Sequence, residues 1–188
     1  MNFLIKLDTD LFYFINRCLQ NKIFDILMPF ITTSEYWRIP LFAGFLALAI
    51  FGKKRGTETF FLCLITLLLS DGFTNYILKP LFHRPRPFEV LENVHLLVKA
   101  YGYSFPSSHS VNMFSMAMAI SYVWQKIWIS ILVFSIAFIV GFSRVYVGVH
   151  YPFDFLIGIP IGIFCTFLGI QVFKTIKNWA GILFCRKK

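Results

Sequence analysis

Of the chain's 188 residues, 57% are hydrophobic and 14% are charged, whereas an ordinary soluble domain carries about 25% charged residues. That shortfall, with apolar runs from end to end, excludes a soluble globular domain and fits one integral membrane domain over 1–188. The net charge of +9 does not point to a nucleic-acid partner, because the basic residues cluster at the ends of apolar segments, where the positive-inside rule places them.

The fold class expected is all-α, a polytopic membrane bundle of about six transmembrane helices, each of roughly 20 mostly apolar residues. Met1 to Leu7 is too short, with acidic residues following, to read as a cleaved signal peptide. The first span, Leu11–Ile31, is interrupted by Asn16, Arg17, Asn21, Lys22 and Asp25, so part of it reads equally as an amphipathic helix lying in the interface. The second, Ile39–Phe51, is short unless it starts near Glu35 or Tyr36. Then come Thr57–Leu78, His109–Trp124, Ile127–Phe142 and Pro152–Val172. Lys53, Lys54 and Arg55 follow the second span, Lys126 the fourth, and Lys174, Lys177, Arg186, Lys187 and Lys188 the sixth. With six spans these all fall on one side, the cytoplasmic one, together with both termini. Cys18, Cys63, Cys165 and Cys185 form no CxxC pair and read as free thiols rather than a disulfide framework or a zinc site.

The opposite face carries three polar islands. The first is KPLFHRPRP, Lys79 to Pro87, where the prolines end the third span and leave Lys79, Arg84 and Arg86 at its exit. Taken alone, Lys79 reads better as a lysine snorkelling to headgroups. The second is FPSSHS, Phe105 to Ser110. Ser107 suits the N-cap of the fourth span, and the free amides of the first turn face outward with the positive end of the helix dipole. His109 lies in that turn and reads equally as a satisfied interfacial histidine. The third is SRVYVGVHYPFD, Ser143 to Asp154. His150 and Asp154 are four residues apart, a spacing at which a carboxylate can accept the imidazole N–H and leave the other ring nitrogen free. A structural His–Asp bond and a headgroup-anchoring Arg144 are the plainer readings. Ionisable groups beside hydrocarbon are costly, and three such islands on one face suit a tetrahedral phosphoryl group.

With those residues in view, the chain resembles the type 2 phosphatidic acid phosphatase superfamily, which also includes the vanadium haloperoxidases. The family's first motif is Lys, six residues, then Arg-Pro, matched by Lys79 and Arg86-Pro87. The second, Pro-Ser-Gly-His, stands here as Pro106-Ser107-Ser108-His109. The third is Ser143-Arg144, His150 and Asp154 in full register. Ser108 replaces the family's glycine, keeping the backbone N–H and adding a hydroxyl.

The resemblance implies a metal-independent lipid phosphatase with no cofactor. His150 is then the nucleophile, Asp154 its orienting carboxylate and His109 the acid and base. Lys79, Arg86, Arg144, Ser107 and Ser108 hold the phosphate. The implied substrate is a lipid with a phosphate or diphosphate headgroup, met at the periplasmic face of a bacterial inner membrane. Undecaprenyl diphosphate, lipid A 1-phosphate and phosphatidylglycerophosphate are the family's bacterial substrates of this kind. A phosphotransferase passing the group to another lipid would share every motif, while a non-catalytic anion-binding membrane protein would not need both histidines with Asp154. Asp71, Asn75 and Lys79, at i, i+4 and i+8, suggest an inward polar stripe that either relays to the lysine or makes a helix–helix hydrogen bond, with Arg84 as a further supporting residue. The 88–104 segment is long enough to act as a lid, and Gly158 and Gly162 have the spacing of close helix packing.

Overall fold

The structure is a computed structural model that describes residues 3–185, with side chains placed through Trp179. Arg186, Lys187 and Lys188, and the side chain of Cys185, lie outside the described residues. Helices account for nearly all regular structure, with no strand among the described residues. They run α1 (Phe3–Tyr13), α2 (Lys22–Thr32), α3 (Ser34–Phe51), α4 (Lys53–Gly72), α5 (Lys79–Phe82), α6 (Pro87–Val90), α7 (Ser108–Trp124), α8 (Ile127–Tyr146) and α9 (Pro152–Cys185). Two π-helical stretches, Phe14–Cys18 and Phe73–Leu78, continue α1 and α4. The segments Lys53–Val90, Ile127–Tyr146 and Pro152–Trp179 are long and apolar enough to cross a membrane.

The first expected span is not one helix. Asn21 breaks it by capping α2, its side chain accepting the Phe24 N–H at 2.9 Å. Of the polar residues that interrupted the apolar pattern, Asn16 and Asp25 are internal ties, while Arg17 and Lys22 are exposed. The π turn carries Asn16 into the interior, where its Nδ2 donates to the carbonyls of His95 (2.9 Å) and Tyr146 (2.7 Å). Asp25 accepts from the Tyr146 hydroxyl at 2.7 Å and lies 2.9 Å from His95 Nε2. These contacts pin the 88–104 segment over the end of the bundle. The second expected span does begin near Glu35, as α3.

Helix α7 sits at the centre, packed against α4, α8 and α9. Phe114 and Ala117 on α7 meet Ala137 of α8 and Phe155 of α9 in one buried cluster. Gly158 and Gly162 let α9 approach α7 closely. A Cβ at Gly162 would lie 2.5 Å from the Val111 carbonyl oxygen and 3.0 Å from the Ser115 nitrogen. The outer faces carry exposed large apolar side chains such as Ile39, Phe51 and Ile127, which is how a chain solvated by hydrocarbon distributes them. Helix α3 packs on α4 and buries no residue fully, leaving a groove between itself and α7.

Candidate active site

All three polar islands meet at one end of the bundle. The α4–α5 exit brings Lys79, Arg84 and Arg86, the start of α7 brings Ser107, Ser108 and His109, and the α8–α9 turn brings Arg144, His150 and Asp154. The turn that delivers His150 contains Gly148 at φ +86, a left-handed conformation unfavourable for a side chain. A Cβ there would also lie 2.9 Å from the His95 carbonyl oxygen.

His150 is buried, with 2% exposure, and its two ring nitrogens face different partners. Nδ1 lies 3.5 Å from Asp154 Oδ2 and 3.4 Å from Ser104 Oγ. Nε2 lies 3.3 Å from Arg86 Nη1. An arginine only donates, so Nε2 presents its lone pair and the proton sits on Nδ1, directed at the Ser104–Asp154 pair. Burial holds the imidazole well below its ordinary proton affinity, and Arg86, Arg144 and Lys79 push the same way. His150 is therefore neutral, with Nε2 unprotonated and its lone pair toward the Arg86 guanidinium.

Asp154 is fully buried and heavily bonded. Its Oδ1 accepts from Arg84 Nη1 at 2.7 Å, and its Oδ2 accepts the Tyr151 N–H at 2.9 Å and the Ser104 hydroxyl. Its backbone carbonyl accepts the Ser107 N–H at 3.1 Å, which locks α9 to the start of α7. Ser107 is the N-cap of α7, its hydroxyl accepting from the Ser110 N–H. The Ser108 and His109 amides lead the helix before its own ladder begins and face the site as donors. The hydroxyl that Ser108 carries donates to Asn75 Oδ1 at 3.0 Å.

The cations are held in distinct ways. Arg86 donates Nε to the Gly102 carbonyl, Nη2 to the Tyr101 carbonyl and Nη1 to the Val149 carbonyl, each at 2.8 Å. With Nη1 also against His150, one of its five N–H donors is left for an anion. Arg144 donates Nη1 to Thr32 Oγ1 at 2.9 Å, and its buried Nε has no partner. An unpaired guanidinium donor inside a protein is expensive unless an anion takes it. Lys79 is half-buried and close enough to feel both arginines. His109, also half-buried, faces Arg144, His150 and Lys79.

Asp71 and Asn75 hydrogen-bond each other and α7, the helix–helix reading, while Asp71 also acts on Lys79 through its charge. Asp71 Oδ1 accepts from Asn75 Nδ2 (2.9 Å) and Asn112 Nδ2 (3.0 Å), and no hydrogen bond joins either residue to Lys79 among the described residues. The π-helix over Phe73–Leu78 contains Asn75 and runs up to Lys79. Three participants have no signal in the sequence: Ser104 between His150 and Asp154, Thr32 under Arg144, and Asp8 on α1, which accepts from Arg84 Nη2 at 2.7 Å. Their partners lie 50, 112 and 76 residues away, beyond any local pattern. Among the described residues no three His, Cys, Asp or Glu side chains converge as metal ligands.

A groove of about 550 Å³ opens from this site between α3, α4 and α7. Ser108, His109, Asn112 and Asp71 line it on α4 and α7, and Ser34 and Arg38 add polar groups from α3. Leu41, Phe42, Phe45, Phe60, Leu64 and Met116 are among its apolar lining.

Residues 60–178 match the family model of the PAP2 superfamily. The chain is 30% identical to the lipid A 4'-phosphatase of Bacteroides thetaiotaomicron, covering 86% of this chain and 75% of that protein. It is 32% identical to the undecaprenyl-diphosphatase BcrC of Bacillus subtilis, over 87% of this chain and 82% of that one. The crystal structure of a transmembrane PAP2-type phosphatidylglycerolphosphate phosphatase from Bacillus subtilis superposes with a TM-score of 0.72 at 25% identity, covering 94% of this chain and 89% of that one.

Proposed function

This chain belongs to the PAP2 superfamily, and from that premise we propose that it is a membrane lipid phosphatase, a single domain acting on a lipid phosphate or diphosphate. The observation that carries the reading is His150, buried and neutral, with Nδ1 toward Ser104 and Asp154 and Nε2 toward the cationic pocket.

In the first step Nε2 attacks phosphorus and the bond to the leaving oxygen breaks, giving a phosphohistidine. His109 protonates that oxygen as it leaves. The positive charge that gathers on the His150 ring is balanced by Asp154 through the Nδ1 proton. In the second step His109 takes a proton from water, the hydroxide attacks phosphorus and the P–N bond breaks, releasing phosphate and restoring both histidines. Lys79, the unpaired Nε of Arg144, the remaining donor of Arg86 and the Ser108 and His109 amides stabilise the charge on the phosphoryl oxygens. The groove beside His109 receives a lipid chain while the headgroup meets the histidines.

The relatives named above act on three different headgroups, so the shared chemistry is a phosphate or diphosphate held at a lipid surface. The arrangement fits a helical bundle in a bacterial inner membrane with the site on the periplasmic face. Helices α1 and α2 stay at the site end, where Asp8 meets Arg84, Asn16 meets Tyr146 and Thr32 meets Arg144. The expected first span therefore does not cross, and the expectation of six spans with a cytoplasmic N-terminus is corrected to α1 starting on the site's side. Lys53, Lys54, Arg55, Lys126, Lys174 and Lys177 all occur at the end of the bundle away from the site. The test is phosphate release by the detergent-purified full chain from undecaprenyl diphosphate, lipid A and phosphatidylglycerophosphate, with excess chelator and a His150→Ala control. Chelator-insensitive release from at least one lipid, abolished by the substitution, is expected. A folded protein inert on all three would overturn the phosphatase reading, and a phosphorylated lipid acceptor in place of free phosphate would make it a transferase.

A further inference from the structure

Asp8 lies on α1, outside the segment that matches the family model and far in sequence from every motif residue. It is 1% exposed. Its Oδ2 accepts from Arg84 Nη2 at 2.7 Å, and its Oδ1 accepts the Phe153 N–H at 2.8 Å. The same guanidinium donates Nη1 to Asp154 Oδ1 at 2.7 Å and stacks with its carbon 3.9 Å from the centre of the Tyr151 ring. Arg84 is thus shared between two buried carboxylates, one catalytic and one supplied by the N-terminal helix.

We propose that Asp8 is a positioning residue of the active site, holding Arg84 in place and offsetting its charge so that Asp154 keeps a net negative charge for His150. The inference rests on the phosphatase reading above. The charge argument is short. Asp8, Arg84 and Asp154 together carry one net negative charge, whereas Arg84 and Asp154 alone would be a neutral pair. A carboxylate already matched by an arginine has less to offer an imidazolium that forms during reaction. The geometric argument is as direct. Without Asp8 the guanidinium loses one arm of its fork and is free to rotate about the other. Asp8 also receives an N–H from the first turn of α9, and so joins α1 to the helix that carries Asp154.

A purely structural tie between α1 and α9 would show a different signature, and the test separates the two. Asp8→Asn, Arg84→Gln, the double variant and Asp8→Glu are compared in the phosphate-release assay. Asp8→Asn is expected to lower kcat about tenfold to a hundredfold with KM little changed, the usual cost of removing an orienting partner. If Asp8 acts through Arg84, the double variant loses no more than Arg84→Gln alone, and Asp8→Glu restores part of kcat. His150 faces Lys79, Arg86, Arg144 and His109 as basic groups and Asp154 as its carboxylate. Removing a nearby negative charge lowers its proton affinity further, so the acid limb of kcat/KM moves to lower pH in Asp8→Asn. Independent losses that add in the double variant, or an unmoved limb, would overturn the proposal. A wild type that releases no phosphate defeats the functional reading instead. The proposal is then decided by nitrogen-15 NMR of His150, where the Nδ1–H tautomer of the wild type should weaken in Asp8→Asn and an unchanged tautomer and titration would sink it.

Discussion

In the proposed reaction His150 is the nucleophile, and its surroundings suit that role. Its environment penalises the protonated ring twice, through burial and through Arg86, Arg144 and Lys79. A free histidine titrates near about 6.5, and a nucleophilic one must be unprotonated to attack. The acid limb of kcat/KM is therefore expected below that value, where titration of the free enzyme's histidine would otherwise place it. Lys79→Gln removes one of the cations, so the limb should move up in pH even as the rate falls. A pH profile of the wild type and that variant checks both signs, and a downward or absent movement would show that Lys79 does not face the ring. At this scale His109, Arg144, His150 and Asp154 were all legible, because their chemistry is unusual in an apolar chain and their spacing matches a motif. Ser104 was not, since a serine in YGYS looks like any loop residue. Only the fold carries it between His150 and Asp154.

At the level of elements, the site depends on the contact between α7 and α9. Helix α7 supplies His109 and the free amides of its first turn, and α9 supplies Asp154. The Ser107 N–H and the Asp154 carbonyl join their first turns. One turn or more further in, Gly158 and Gly162 set the separation, with a Cβ at Gly158 falling 2.7 Å from the Ser110 Cβ. Gly162→Leu drives a side chain into the α7 backbone, and overpacking of this kind costs about 1–3 kcal/mol. It should lower the thermal midpoint by several degrees and reduce activity in the fraction that stays folded, as the two halves of the site separate. Gly44→Leu is the control: nothing lies within 4 Å of a Cβ there, so both readouts should be unchanged. Equal damage from the two would mean that the loss reflects membrane insertion rather than helix contact. The apolar periodicity located α7, α8 and the start of α9 to within a few residues, because those helices are held by hydrocarbon and by one another. It failed over Leu11–Ile31, where Asn21 breaks the helix by capping α2, and Asn16 and Asp25 spend their polar groups on His95, 79 and 70 residues away. Local pattern reports that such residues interrupt a span but not what they hold.

For the molecule as a whole, the site and the groove are continuous, which in the proposed reaction makes one path from headgroup to chain. Along α3 the lining runs from Ser34 to Phe45, about 16 Å at 1.5 Å per residue, long enough for part of a lipid tail. The groove exists because α3 rests on α4 and stands away from α7, a gap that no residue pattern announces. Its energetic role differs from that of a pocket in a soluble enzyme. The tail is surrounded by hydrocarbon before and after it binds, so no transfer free energy is gained and only packing and alignment remain. Filling the inner part of the groove with Met116→Trp should therefore cost little, about 1 kcal/mol or roughly fivefold in kcat/KM, and only for a long-chain substrate. A short-chain, water-soluble phosphate monoester that never reaches Met116 should be hydrolysed as by the wild type. The ratio of the two specificity constants is the measurement, since it cancels differences in folded fraction. A ratio unchanged by Met116→Trp would place the tail elsewhere on the bundle. A loss shared equally by both substrates would mean that the substitution disturbs α7, and His109 with it, rather than the path of the chain.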